Sequence, residues 1–291
     1  MSGSVTISAP PPALPRRTMI DRNQILRIGL PLTVFVLSIF AWEYYVRANE
    51  VPPYILPAPS AIWSTLVKDW PILLSSLLVT LRTTLLGLAL AVAGGVTLAV
   101  LISLSRVIEY SLYPYAVVLQ VTPVIAIAPL LLIYLPQEMA VLACAWIVAF
   151  FPVLSNTTLG LQSVDRNLME LFQLYGAPAS QDPLARLRAR LKALWYLRRP
   201  AALPAFLAGL RIAGGLSLIG AVVAEMAAGS AGAGSGLAYR IIESQYRLNI
   251  PRLFAALVLL ALTGIGLFLV LAALNHVLLR RWHESALDRE A

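Results

Sequence analysis

Apolar residues in this chain gather into long unbroken runs, rather than the every-second-residue alternation of half-buried strands or the narrow stripes of soluble helices. A helix rises about 1.5 Å per residue and a bilayer's hydrocarbon core is about 30 Å thick, so about 20 mainly apolar residues make one crossing. Six segments reach that length, near 28–46, 76–103, 112–134, 139–160, 203–227 and 253–278. The fold class expected from this pattern is an all-α integral membrane protein with about six transmembrane helices. Pro114, Pro123 and Pro129 interrupt the third segment and Pro152 the fourth. Each removes a backbone donor that lipid cannot replace, so these helices should be kinked and shielded by protein. Gly94, Gly95, Gly209, Gly214, Gly215 and Gly220 suit close helix packing better than a binding site.

The segments between the runs differ in kind. Residues 1–27 open polar and proline-rich and are expected to form a disordered N-terminal tail. The run 28–46 is too long for a signal-peptide core and lacks a small-residue cleavage pattern behind it, so it reads as a retained first transmembrane helix. Residues 47–75 form an external loop with Pro52, Pro53, Pro57 and Pro59 ahead of an amphipathic piece, Ala61 to Trp70, whose Trp63 and Trp70 suit a membrane interface. The core is expected over 76–278, with a long connection at 162–203, and a short C-terminal tail over 279–291.

Charge gives this topology a direction. With six crossings, fifteen of the 22 Lys and Arg residues fall on the side that holds both termini. Basic residues collect in cytoplasmic connections, so both termini and the 162–203 loop are expected in the cytoplasm of a multi-pass protein of the cell's inner membrane. The chain is 59% hydrophobic and 12% charged, with a mean hydropathy of +0.79. Its net charge of +8 is thereby topology charge and not a mark of nucleic-acid binding. Cys144, the sole cysteine, excludes an intrachain disulfide and a thiolate metal cluster, and its apolar setting makes it a packing residue.

The cytoplasmic connection carries the most information. Asp165 is a candidate helix cap, helix formers follow, and Gly176 with Pro178 supplies a stop. Taken alone, this is a short surface helix ending on a glycine. Further on, Leu184, Leu187, Leu191 and Leu194 share one helical face, while Arg186, Arg188, Arg190 and Lys192 occupy the rest. That basic stretch suits either anionic headgroups or a protein partner, the membrane surface being the simpler reading. Neither lysine, Lys68 or Lys192, follows a glycine in a phosphate-binding loop. There is no Gly-x-Ser-x-Gly or His-Glu-x-x-His, and His276 and His283 both lie at the C-terminal edge, so the chain is not expected to be an enzyme.

The loop Glu170, Leu171, Phe172, Gln173, Leu174, Tyr175, Gly176, Ala177 resembles the coupling loop of permeases in binding-protein-dependent ABC importers, with Leu171 and Phe172 in place of that loop's two alanines. The segment from Arg198 to Met226 is similar to the entry into the fifth span of the nitrate, sulfonate, taurine and bicarbonate branch. Phe150 to Asp165, Leu56 to Trp63 and Gly234 to Ile241 resemble the same branch, in the same order. The resemblance implies a MetI-like permease fold and a coupling site of Asp165, Glu170, Leu171, Phe172, Tyr175, Gly176 and Ala177, with the loop ending at Pro200 and Pro204. It also implies ABC ATPase subunits that hold ATP and Mg, a periplasmic or lipid-anchored solute-binding protein, a second permease copy and surrounding membrane lipid. No cofactor is expected on this chain itself, and no nucleic-acid partner. Two features depart from the family. Gly176 and Pro200 stand unusually far apart, and Tyr134 to Met139 replaces a glycine-containing external turn.

Candidate pathway residues are Arg82, Gln120, Thr122, Pro123, Arg211 and Glu225. Ionisable side chains in a span are costly and so mark function, and irregular backbone at depth is tolerated beside a cavity. Arg82 and Arg211 lie near span ends, where snorkelling competes with ligand contact. Glu225 at the outer end of the fifth span suits a gate, a contact to the binding protein or a solvated helix end. The implied cargo is a small anion or organic solute: nitrate, bicarbonate, a sulfonate, taurine or a thiamine-related pyrimidine. A secondary transporter would instead show similar halves and an intramembrane charge pair, and neither is visible. A membrane scaffold without transport is the third reading.

Overall fold

The computed structural model describes residues 22–176, 183–229 and 234–280. All regular structure among them is helical. The chain divides into two units, the first ending at Val51. It contains α1 (Arg22–Ala48), whose stretch Gly29–Ala48 is apolar and long enough to cross a membrane. Thr33 and Ser38 donate their hydroxyls to the carbonyls of Gly29 and Val34 four residues back, so neither polar group needs water. The helix begins at Arg22, so 22–27 are not part of an unstructured tail. No glycine or proline stands between Arg22 and Ile28 to stop it.

The second unit begins with α2 (Pro59–Lys68) and α3 (Trp70–Leu104). Pro59 and Pro71 sit in first turns, where a missing N–H costs nothing, so α3 starts six residues before the apolar run at 76. The third apolar segment is broken into two helices, α4 (Arg106–Val121) and α5 (Val124–Tyr134), bent by 101°. Next come α6 (Gln137–Gln162) and α7 (Arg166–Gly176). Beyond it lie α8 (Pro183–Ala193), a π-helical turn (Leu194–Arg198) and α9 (Arg199–Ala228). The unit closes with α10 (Leu237–Tyr246) and α11 (Ile250–Arg280).

The core is built on α6, packed against α9 on one side and α3 on the other. Small residues allow these backbones to meet. A Cβ on Gly220 would lie 2.8 Å from the Cys144 carbonyl oxygen, and one on Gly209 would lie 2.7 Å from that of Pro152. Gly215 departs from the packing expectation, with open space around it. Cys144 is fully buried beside Ala145 and Ala221.

The long connection after α6 differs most from its expected form. Residues 183–203 are not a loop with a separate surface helix, because α8, the π turn and α9 follow one another without a break. Pro200 and Pro204 therefore lie inside helix rather than at a loop end. A proline crowds the carbonyl four residues back, and a π turn ahead of it widens the coil there. The Arg199 N–H accordingly reaches the Leu194 carbonyl five residues back.

Candidate functional site

The candidate coupling helix, α7, begins on Asp165, whose Oδ1 accepts the Asn167 N–H at 2.8 Å while its carbonyl accepts the Met169 N–H at 3.0 Å. Asp165 thus caps the helix. Met169 and Phe172 turn inward and line a cleft. On another face Leu168, Leu171 and Leu174 are exposed, Leu174 to 81%, and Glu170 is exposed beside them. An isolated surface helix would gain nothing from an exposed leucine row, so this face is built for cover. Gly176 is the last residue of α7, and Ala177 lies outside the described residues.

The broken span brings three of the pathway candidates together. Thr122 and Pro123 are both extended, ending α4 and opening α5. Pro123 has no N–H to continue the ladder, and the Thr122 hydroxyl satisfies the Val118 carbonyl at 2.6 Å. Gln120 and Thr122 line a cavity of about 280 Å³ closed by Phe151 and Pro152 of α6 and Leu216 of α9. This places irregular backbone beside a cavity between packed helices.

Glu225 belongs elsewhere. Only 5% exposed, it is not a solvated helix end. Its carboxylate accepts the Thr80 hydroxyl from α3 at 2.9 Å and the Ala238 N–H from the first turn of α10 at 3.2 Å. The Leu237 N–H donates to the Thr80 oxygen at 2.9 Å. Gly236 leaves the room for this, since a Cβ there would overlap the carboxylate. Glu225 therefore caps α10 from a neighbouring helix. Farther out, Arg240 donates to Ser76 at 2.9 Å and pairs with Glu243, and Arg252 of α11 pairs with Asp69 at 2.6 Å. None of Thr80, Gly236, Ser76, Asp69 or Arg252 was singled out from sequence. A glycine ahead of Leu237 and an isolated Asp before Trp70 were the available signals.

Against families of known proteins, residues 86–284 match the binding-protein-dependent transport system inner membrane component. The chain belongs to that family. It is the permease subunit of an ABC importer, a multi-pass protein of the inner membrane. The formylaminopyrimidine transport permease protein ThiX of Halalkalibacterium halodurans is 33% identical over 86% of this chain and 94% of that protein. The riboflavin transport system permease protein RibX of Chloroflexus aurantiacus is 32% identical over 93% of this chain and 96% of that protein. A crystal structure of an amino acid ABC transporter with histidines superposes with a TM-score of 0.56 at 23% identity. It covers 75% of this chain and 97% of that one, and shares its fold.

In this permease Arg82 and Arg211 do not join the cavity residues. Arg82 is exposed on α3 among Leu78, Leu85 and Leu86. Arg211 lies with its guanidinium 5.6 Å from the Phe268 ring of α11, and its Nε is buried without a hydrogen-bond partner. The apolar flank of α11 thus receives Arg211 by a cation–π contact.

Proposed function

We propose that α7 docks into a separate ATPase subunit and transmits ATP-driven movement to the membrane helices. The observation that carries this reading is the exposed row Leu168, Leu171 and Leu174, with Glu170 beside it, on a helix capped by Asp165 at the end of α6. The chain has no phosphate-binding loop, so ATP and Mg belong to that partner. Two permease copies, identical or related, would present two such helices. Closure of two ATPase subunits would then draw them together and switch the membrane domain between its two openings. The bias of basic residues supports cytoplasmic termini and a cytoplasmic α7, which leaves the outer face to a solute-binding protein. Tyr175 and Gly176 complete the docking helix at its far end.

The pathway runs beside Gln120, Thr122 and Pro123, where the span is broken and a cavity opens. For the cargo we favour a small organic solute with a pyrimidine-type ring over nitrate or bicarbonate, because two relatives above 30% identity are named for formylaminopyrimidine and riboflavin. The test of coupling is co-purification. Leu171→Asp with Leu174→Asp should leave the permease in the membrane and remove the ATPase from it. Full ATPase recovery with the double variant would refute α7 as the docking element. Uptake of labelled formylaminopyrimidine, riboflavin and an alkyl sulfonate, compared with and without the chain, tests the cargo.

A further inference from the structure

A second, larger cleft of about 1060 Å³ lies at the proposed cytoplasmic end of the spans, where the close of α3 and the start of α4 meet α7 and α8. Its size matches ligand pockets, which run to about 300–1,000 Å³. Arg106, Arg190 and Arg198 line it, with Glu109 the single carboxylate among the lining residues. Two of the arginines are held in place by the fold: Arg190 donates one Nη1 to the Leu104 carbonyl at 3.1 Å, and Arg198 one to the Ser103 carbonyl at 2.8 Å. These contacts satisfy carbonyls that the end of α3 leaves open, and they fix two like charges close together. Each guanidinium carries five donors, so most remain to be used. Arg106 makes no hydrogen bond or ion pair among the described residues and completes the basic lining.

Like charges held together this way call for an anion. The surroundings say which kind. Tyr110 lines the cleft and is 71% exposed, Val107 beside it is 74% exposed, and Trp195 and Tyr196 stand exposed on the adjoining π turn. Aromatic and apolar side chains around a basic hollow at the ends of spans are the setting of a lipid whose headgroup enters the hollow and whose chains remain in the bilayer. We propose that this cleft binds the phosphate of an anionic phospholipid, held by Arg106, Arg190 and Arg198 behind the coupling helix. The bound headgroup neutralises the arginine cluster and ties α3 and α4 to α8. Placing the cleft on the cytoplasmic leaflet rests on the orientation proposed above.

The test is native mass spectrometry of the detergent-purified transporter with its co-purifying subunits, titrated with phosphatidylglycerol or phosphatidylcholine of the same acyl chains. The wild type should retain phosphatidylglycerol preferentially. Arg106→Gln, which breaks no internal contact, should weaken that retention about tenfold, as expected for one charge-assisted contact. Arg106→Lys should restore most of it. Equal retention of the two lipids, or unchanged retention in Arg106→Gln, overturns the proposal. Displacement of phosphatidylglycerol by millimolar inorganic phosphate would make the occupant a soluble phosphate and overturn the lipid assignment. The readout needs neither ATP nor transport, so its failure leaves the coupling reading of α7 standing, and loss of ATPase capture leaves the lipid result standing.

Discussion

The hydroxyl of Thr80 donates to the carboxylate of Glu225 at 2.9 Å, joining α3 to α9 across 145 positions of sequence. Both residues are buried, and the same pair holds the first turn of α10 through the N–H groups of Leu237 and Ala238. A buried polar group left without its partner costs about 1–3 kcal/mol, so the cost of breaking the knot grows with the number of partners left unpaired. Glu225→Ala should lower the stability of the purified permease by about 2–3 kcal/mol, and Glu225→Gln by less because the amide oxygen still accepts one bond. Thermal unfolding in detergent reads both.

Gly236→Ala tests the same knot from the other side. The added methyl would overlap the Glu225 carboxylate, and overpacking of this kind costs about 1–3 kcal/mol. Its melting temperature should fall while that of Gly215→Ala, where a Cβ meets nothing within 4 Å, stays with the wild type.

Asp69 and Arg252 should behave as a coupled pair. They meet at 2.6 Å with little exposure, fastening the start of α3 to the start of α11. Asp69→Asn alone and Arg252→Met alone should each cost about 2 kcal/mol, and the double variant should cost less than their sum. A double-mutant cycle of unfolding free energies measures the difference.

Glu170→Arg and Gln120→Ala separate coupling from passage. Glu170 is exposed on α7, so reversing its charge should abolish uptake while membrane insertion and melting temperature are unchanged. Gln120 lines a cavity to which α7 contributes no lining residue, so its truncation should change uptake rate or selectivity and leave ATPase co-purification intact. Vesicle transport and pull-down from the same preparations give both readouts.

Legibility in the sequence followed the range of the physics. The Asp165 cap and the break at Pro123 are local: one depends on a carboxylate two positions from an N–H, the other on an absent donor. Both can be read by eye. The six apolar runs were visible for the same reason, although α3 starts six residues early because Trp70 and Pro71 belong to a first turn that hydropathy does not register. Glu225 was found as a residue and misjudged as a setting, since what buries it comes from Thr80 and Gly236, on two other segments. The basic stretch Leu184 to Leu197 reads from its leucine face as an amphipathic helix for headgroups or a partner, and nothing in that pattern shows that it runs on into α9. The π turn that lets the helix run past Pro200 leaves no mark in the pattern of apolar residues. The capping of α3 by Arg190 and Arg198 was hidden likewise, since charges counted for topology say nothing about which carbonyls they meet.

The unbroken helical path from Arg188 to Ala228 has a mechanical meaning. Its 41 residues extend about 60 Å, twice the hydrocarbon thickness, so the helix is longer than a crossing needs. One end carries the arginines that grip α3, and the other carries the carboxylate that grips α10. On the coupling proposed above, a continuous helix held at both ends and packed on α6 at its waist would work as a see-saw: a push at the α7 end would tip the α10 end the opposite way, with no relay of separate contacts between them.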